Sequence, residues 1–243
     1  MTDHTVPVRF EPLKVLVTGA SGFLGAFVVR ALCETGYIVR CLVRENSDTS
    51  RIDGLPVEKT VGDVLDAESV DRCMEGCHVC IHLALLGSND AKRTPAQVKE
   101  SVSLGQKGTV HVLEAAKKHG NTRVVYVSSI AAISCSRDPH QIFTEDTPPQ
   151  VTGETLAYVQ MKRAGEELVL SYAKEGVPTI ILNPAEIYGP FDTQLVSASN
   201  LVKFLTHWPL VLPSTGGTAI VAAEDVANAI VAACTRGQLG ERY

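Results

Sequence analysis

Short apolar runs and stretches of helical periodicity alternate along this chain almost from its start. "LKVLVTG" is a continuous apolar run of strand length, and "GFLGAFVVRALCETG" then spaces its apolar residues as a helix does and stops at Gly36. "YIVRCLVR" predicts a second strand, a polar loop containing "SRIDGL" follows, and "VEKTVGD" predicts a third. "DAESVDRCMEG" has the pattern of a helix capped by Asp66, with Ser69, Val70 and Cys73 along its length. "HVCIHLA" is the fourth strand. A long helical stretch covers about residues 94 to 119 and closes in "KKHG", where basic side chains meet the negative end of the helix dipole before Gly120. "TRVVYVSS" is the fifth strand, residues 153 to 176 form a further helix, and "VPTIILN" is the sixth strand.

Strands that alternate with helices and lack tight hairpin turns require right-handed crossovers and a parallel sheet covered on both faces. The expected class is therefore α/β, with a doubly wound parallel sheet of Rossmann type. From Pro184 the pattern weakens into a segment rich in Pro, Gly, Ser and Thr, read as loops around one helix, "SASNLVKFLTHW". "AAEDVANAIVAACTRG" then supplies another helix. The expected division is a dinucleotide-binding domain over residues 1–183 and part of a small substrate lobe over 184–222. Residues 223–243 hold a returning helix and the start of a last strand. No internal repeat or low-complexity tract interrupts this order.

Composition narrows the classes. With 243 residues, 45% of them apolar and 20% charged, the chain can bury a full core and has ordinary globular usage. No apolar run is long enough to span a bilayer, and "MTDHTVPVRFEPLKVLVTG" lacks the pattern of a secretory signal, so a cytoplasmic location is expected. A net charge of −5 without a basic cluster leaves no electrostatic footprint for nucleic acid. Seven cysteines, an odd number, read as reduced thiols. In "CMEGCHVCIH" Cys77 and Cys80 form a CxxC near Cys73, His78 and His82, but no second half-site accompanies it. A helix end running into a buried strand explains the same residues, so no metal is expected.

The first strand runs into "TGASGFLG", with glycines at 19, 22 and 25. These places suit a tight strand-to-helix turn, close approach of backbone to a pyrophosphate, and tight helix packing, with the helix amino terminus facing the anion. Ser21, Phe23 and Leu24 lie between or beside those glycines and join the expected cofactor contacts. The second strand ends in "CLVREN". Sites for NAD commonly carry a carboxylate here for the ribose diol; Arg44 instead favours the 2′-phosphate of NADP, so NADPH is the expected cofactor and NAD the lesser one. Asp63, followed by Val64, ends the third strand where a carboxylate can accept from the adenine amino group. Leu83 and Ala84 end the fourth, where small apolar residues let the ribose lie close.

The candidate chemistry comes from "YVSSIAA" and "AYVQMK". Ser128 and Ser129 end the fifth strand at the sheet's carboxyl edge, where open α/β sheets bind ligands. Tyr158 and Lys162 lie four residues apart, one helical turn. A phenol titrates near ~10 and is a poor acid or base at neutral pH unless a nearby ammonium draws that value down. Ser129 is expected to orient a substrate oxygen, Tyr158 to transfer the proton, and Lys162 to lower the tyrosine pKa and hold the ribose beside a nicotinamide. The chain lacks a GxSxG elbow and an HExxH motif.

"TGASGFLG", "GDV", "HLA", "YVSS", "YVQMK", "NPAEIYGP" and "EDVANAIVAA" occur in an order that resembles the extended short-chain dehydrogenase/reductase family, in its NAD-dependent epimerase/dehydratase branch. "LVRENSDTSRIDGLPVEKTVGDVLD" and "LNPAEIYGP" look most like the dihydroflavonol-reductase and hopanoid-associated sugar-epimerase group. The resemblance implies an NADP-linked carbonyl reductase or alcohol dehydrogenase with Ser129, Tyr158 and Lys162 as catalytic residues. It also implies Pro184 and Ile187 near the nicotinamide, and pairing of two copies through the two long helices. Two departures stand out. Gly105 occupies the place where many relatives carry a relay asparagine, and the chain stops at "GQLGERY", where relatives continue into a lobe over the substrate. The substrate lobe is accordingly expected to be incomplete. Three functions remain open: a reductase of a small carbonyl or alcohol substrate, a nucleotide-sugar-type epimerase or dehydratase using the same cofactor, and a non-catalytic dinucleotide-binding sensor or scaffold.

Overall fold

A computed structural model of the chain describes residues 12–84, 94–120, 122–134, 138, 140–147, 157–192, 202, 206 and 217–243. Six strands, β1 (Lys14–Thr18), β2 (Ile38–Val43), β3 (Val57–Val61), β4 (Val79–His82), β5 (Arg123–Val127) and β6 (Thr179–Leu182), form one parallel sheet in the order β3-β2-β1-β4-β5-β6. The doubly wound expectation holds. The order reverses between β1 and β4, which pair from Val15↔Val79 to Thr18↔His82, and this reversal opens a crevice at the carboxyl ends.

The strand sequences explain the layering. β4 is buried at every position and β1 at all but its first, as expected of central parallel strands with helices on both faces. Alternate residues split the core. Val15, Val17, Val125, Val127 and Ile180 face α1 (Phe23–Glu34) and the last helix, α6 (Ala223–Ala233). Leu16, Cys80, Val124, Tyr126 and Ile181 face α2 (Ala67–Met74), α3 (Pro95–Lys118) and α5 (Ala157–Lys174). Burial of these side chains contributes roughly 1.5–3 kcal/mol each, which fixes the strand register because a one-residue slip would exchange the two faces.

Local signals set the helix ends. Asp66 caps α2 by accepting from the Glu68 N–H, and Thr94 and Gln97 form a reciprocal capping box at α3 with Pro95 behind it. A one-turn helix, α4 (Ile130–Ile133), starts where β5 ends, with Ser129 as its cap.

Residues 184–222, read from sequence as loops around one helix, also hold a two-stranded parallel sheet: β7 (Glu186–Tyr188) pairs with β8 (Ile220–Ala222). Both strands are three residues long, too short for an alternation to show. In the predicted helix "SASNLVKFLTHW", Val202 and Thr206 are helical and the other residues lie outside the described ones, as do 153–156 of the helix expected over 153–176. The last residues run beside β6: the Tyr243 N–H donates to Ile181 O (3.0 Å), and the Asn183 N–H donates to Tyr243 O (2.7 Å). Among the described residues, no helix is long and apolar enough to cross a membrane.

Candidate active site

The glycine loop is built around a close approach of backbone to backbone. Gly19 has φ +73°, and a Cβ there would lie 2.8 Å from the Ala84 nitrogen; a Cβ on Gly25 would lie 2.1 Å from Gly19 O. Only glycine fits either place. Gly22 precedes α1 without any side-chain cap, and the first turn of that helix holds no acidic residue. Its free N–H groups and positive dipole end therefore face the crevice, which is the environment an anionic pyrophosphate requires. Phe23 opens α1 and packs edge-on to Phe27 at 5.7 Å, while Leu24 lies against the core. The Ser21 carbonyl accepts from the Arg51 guanidinium at 3.3 Å.

Beside this loop, Arg44, Glu45, Asn46, Val61, Gly62 and Asp63 line a cavity of about 510 Å³ at the ends of β2 and β3. Arg44 is exposed, and a turn in which its N–H donates to Ser47 Oγ (3.2 Å) and its carbonyl accepts from the Ser47 N–H (2.9 Å) holds its backbone. Val61 is an apolar side chain 62% exposed on the cavity wall, a surface suited to a flat aromatic base. Asp63 also lines it, its carboxylate oriented by the Leu65 N–H, which donates to Oδ1 at 2.9 Å and closes a turn. Val64, expected as a contact, is buried, and its carbonyl is hydrogen-bonded to His111 Nδ1 (2.8 Å). Arg51 is a residue that sequence reasoning passed over. Its side chain spans from the loop after β2 to the glycine loop and to the Phe191 carbonyl (3.3 Å), and only the turn of the intervening loop brings it there.

At the end of β4 a chain of hydrogen bonds fixes the backbone. The Ala84 N–H donates to Thr18 Oγ1 (3.3 Å), whose hydroxyl lies 2.7 Å from His82 Nδ1; His82 Nε2 lies 3.3 Å from Thr109 Oγ1, which donates to Gly105 O (2.9 Å). Because Thr109 spends its hydroxyl hydrogen on Gly105 O, His82 carries a proton on Nε2, and a neutral ring then accepts at Nδ1 from Thr18. Burial, with the nearby Lys162 charge in second place, pushes the His82 pKa down to about 3. Leu83 and Ala84 are thereby held against Gly19. The Gly105 carbonyl is the last acceptor of these linked hydrogen bonds.

Ser129, Tyr158 and Lys162 converge as expected. Ser129 caps α4, its Oγ accepting from the Ala131 N–H at 3.2 Å, and its side chain is hydrogen-bonded to the Tyr158 phenol. Lys162 is buried, donates from Nζ to Val127 O at 2.7 Å, and lies 5.9 Å from the centroid of the Tyr158 ring. One expectation is corrected. The Tyr158 pKa is raised above the usual phenol value, because burial outweighs the opposing hydrogen bond from Ser129. Burial and Ser129 are the causes acting on the phenol; the Lys162 amine donates to Val127 O. Its own pKa is pushed down to about 8 by burial, against the attraction of Glu166. The cluster thus presents a protonated phenol, fit to donate a proton to an oxygen lying on Ser129 and Tyr158.

Pro184 borders this cluster, its carbonyl accepting from the Ile130 N–H at 3.1 Å, and Ile187 sits in β7 against the core face of α1 and α6. The cysteines of the CxxC segment are buried, and burial raises the thiol pKa of Cys73, Cys77 and Cys80. Among the described residues, no three His, Cys, Asp or Glu side chains are grouped as a metal would need.

With this geometry in place, comparison with known proteins is informative. The model of the NAD dependent epimerase/dehydratase family matches residues 15–243. A protein of Synechocystis sp. carrying the provisional name dihydroflavonol 4-reductase is 34% identical over 234 residues, covering 93% of this chain and 66% of that protein. The sterol demethylase protein B of Methylococcus capsulatus is 32% identical over 232 residues, covering 95% and 69%. Among solved structures, that of gox2253 superposes with a TM-score of 0.82 at 30% identity, covering 96% of this chain and 69% of the other. The chain thus spans about two-thirds of the length of the relatives it matches.

Proposed function

Because the chain belongs to the NAD dependent epimerase/dehydratase family, we propose that it is an NADP-dependent oxidoreductase acting on a ketone or secondary alcohol of a small, partly apolar substrate. The observation that carries this reading is the meeting of the Tyr158 phenol with the Ser129 side chain, beside the buried Lys162 amine that is tethered to Val127 O. The tight backbone turn that only glycine at positions 19 and 25 permits, and the uncapped amino terminus of α1, suit a pyrophosphate.

When bound, the nicotinamide supplies or accepts the hydride at the substrate carbon. The chain's own residues do the rest. Gly19, Gly22 and Gly25 admit the pyrophosphate. Arg44 pairs with the 2′-phosphate, Arg51 adds a second positive charge between that site and the glycine loop, and Val61 covers the adenine. Leu83 and Ala84 line the ribose path, and Lys162, Pro184 and Ile187 border the nicotinamide end. Ser129 holds the substrate oxygen, and Tyr158 delivers the proton to it during reduction or takes it during oxidation.

The test is a titration with NADPH and NADH, followed by a screen of carbonyl substrates read by nicotinamide absorbance. Tighter NADPH binding and net consumption of the cofactor are expected; equal affinities would remove the NADP assignment. The family description favours one further reading, an epimerase or dehydratase, because transient oxidation uses the same Tyr158. That reading requires turnover with no net change in absorbance.

A further inference from the structure

A buried polar cluster adjoins the candidate catalytic residues. Glu166, one turn beyond Lys162 on α5, is 3% exposed, and Asn183, the residue after β6, is 7% exposed. Asn183 Nδ2 donates to Glu166 Oε1 (2.5 Å) and to the backbone carbonyl of Ser129 (3.0 Å). Arg242 in the terminal segment reaches Glu166 Oε2 at 3.3 Å. Both carboxylate oxygens are therefore engaged, and both hydrogens of the Asn183 amide are used. Flipping that amide would set its oxygen against a carbonyl and a carboxylate, so its orientation is forced.

Asn183 Oδ1, by contrast, is buried with no hydrogen-bond partner among the described residues. An orphaned acceptor costs free energy, so Asn183 is a costly residue to bury on its own account. What the asparagine adds is a donor aimed at Ser129. The neighbouring bonds share this aim: Lys162 holds Val127 O, and the N–H groups of Ser128 and Ile130 donate to Leu182 O (2.7 Å) and Pro184 O (3.1 Å). The Ser129 carbonyl is the link in this segment that a side chain from β6 secures.

We propose that Asn183, oriented by Glu166, is a positioning residue that holds the Ser129 backbone so that its hydroxyl meets the Tyr158 phenol, and that Arg242 ties this arrangement to the terminal segment. The inference rests on the reductase reading for its kinetic arm but not for its spectroscopic arm. Small misplacements at a reacting centre can cost on the order of 100-fold in rate. In Asn183→Leu, and in the double variant Glu166→Met/Asn183→Leu, kcat should fall roughly 10- to 100-fold while NADPH affinity stays within about threefold. Glu166→Leu should lose a similar amount. Glu166→Gln, whose amide oxygen still accepts from Asn183, should recover most of that loss. The losses of the two single leucine variants should not add.

The second arm needs no substrate. In protein carrying ¹³Cζ-tyrosine, the Tyr158 resonance is assigned by its disappearance in Tyr158→Phe. It should move in Asn183→Leu as the Ser129 hydrogen bond loosens. An unmoved resonance, or native kcat in Asn183→Leu, overturns the positioning role. If the native protein reduces no carbonyl but the resonance does move, the reductase reading fails and the positioning role stands.

Discussion

Lys162 donates a 2.7 Å hydrogen bond to the carbonyl of Val127, so its amine is tethered to the strand that delivers Ser129 while lying 5.9 Å from the Tyr158 ring centroid. The tether places a buried amine, with a pKa near 8, next to a phenol whose own pKa burial has raised. At neutral pH the amine is charged and the phenol protonated, which is the combination that reduction needs. As the pH rises through about 8 the amine loses its proton first. The rate of carbonyl reduction should be flat through neutrality and fall in the alkaline range. Lys162→Met should be slow throughout and lack that inflection, as a pH profile of kcat/KM will show.

Tyr158→Phe deletes only the phenol oxygen. Turnover should fall by about 10²–10⁴, the usual range for a lost general acid, whereas NADPH affinity measured by fluorescence titration should stay close to native. Unchanged turnover would rule out proton transfer by this residue.

Arg44→Ala removes the exposed guanidinium from the cavity at the ends of β2 and β3. A charge-assisted hydrogen bond contributes about 1.5–3 kcal/mol, so the Kd for NADPH should rise by roughly 10- to 100-fold. NADH, which lacks the 2′-phosphate, should bind nearly as before.

Two helix glycines should respond oppositely to alanine. Among the described residues, a Cβ on Gly105 would meet only Met161, at 3.9 Å, so Gly105→Ala should stabilise the fold by about 0.5–1 kcal/mol through the helix preference alone. A Cβ on Gly165 would lie 2.0 Å from the Tyr126 hydroxyl, so Gly165→Ala should destabilise by about 1–3 kcal/mol. Urea unfolding of both variants measures the contrast.

His82 is neutral in the fold, with a pKa near 3 against 6.5 ordinarily. Between those values the unfolded chain binds the proton and the folded one does not, so stability rises with pH there and is lost as pH falls. This single group contributes a slope of up to ~1.4 kcal/mol per pH unit. In His82→Gln, unfolding free energies measured across the mildly acidic range should lose that part of the slope.

Much of the site is legible along the chain because its parts are local. The three glycines fall within seven consecutive residues where a strand runs into a helix, and Tyr158 and Lys162 are one turn apart, so period and turn chemistry suffice to find them. Ser129 is readable because carboxyl strand ends gather at one edge of any parallel sheet. The phenol's acidity is not readable in this way. Whether Tyr158 titrates below or above its ordinary value depends on burial against the reach of an amine, and neither quantity belongs to a four-residue spacing.

The sequence by itself determined the class of fold, the order of the six main strands and their long helices, and the residue types at the candidate cofactor and proton-transfer positions, since apolar periodicity and glycine steric freedom are properties of short segments. Tertiary structure alone decided the remaining features. Arg51 meets the glycine loop 30 residues before it, Asn183 grips Ser129 across 54 residues, and Arg242 reaches Glu166 across 76. The first exists because β1 and β2 are neighbours in the sheet and the other two because β5, β6 and the terminal segment lie side by side, and hydrogen bonds between distant residues leave no periodic trace in the chain.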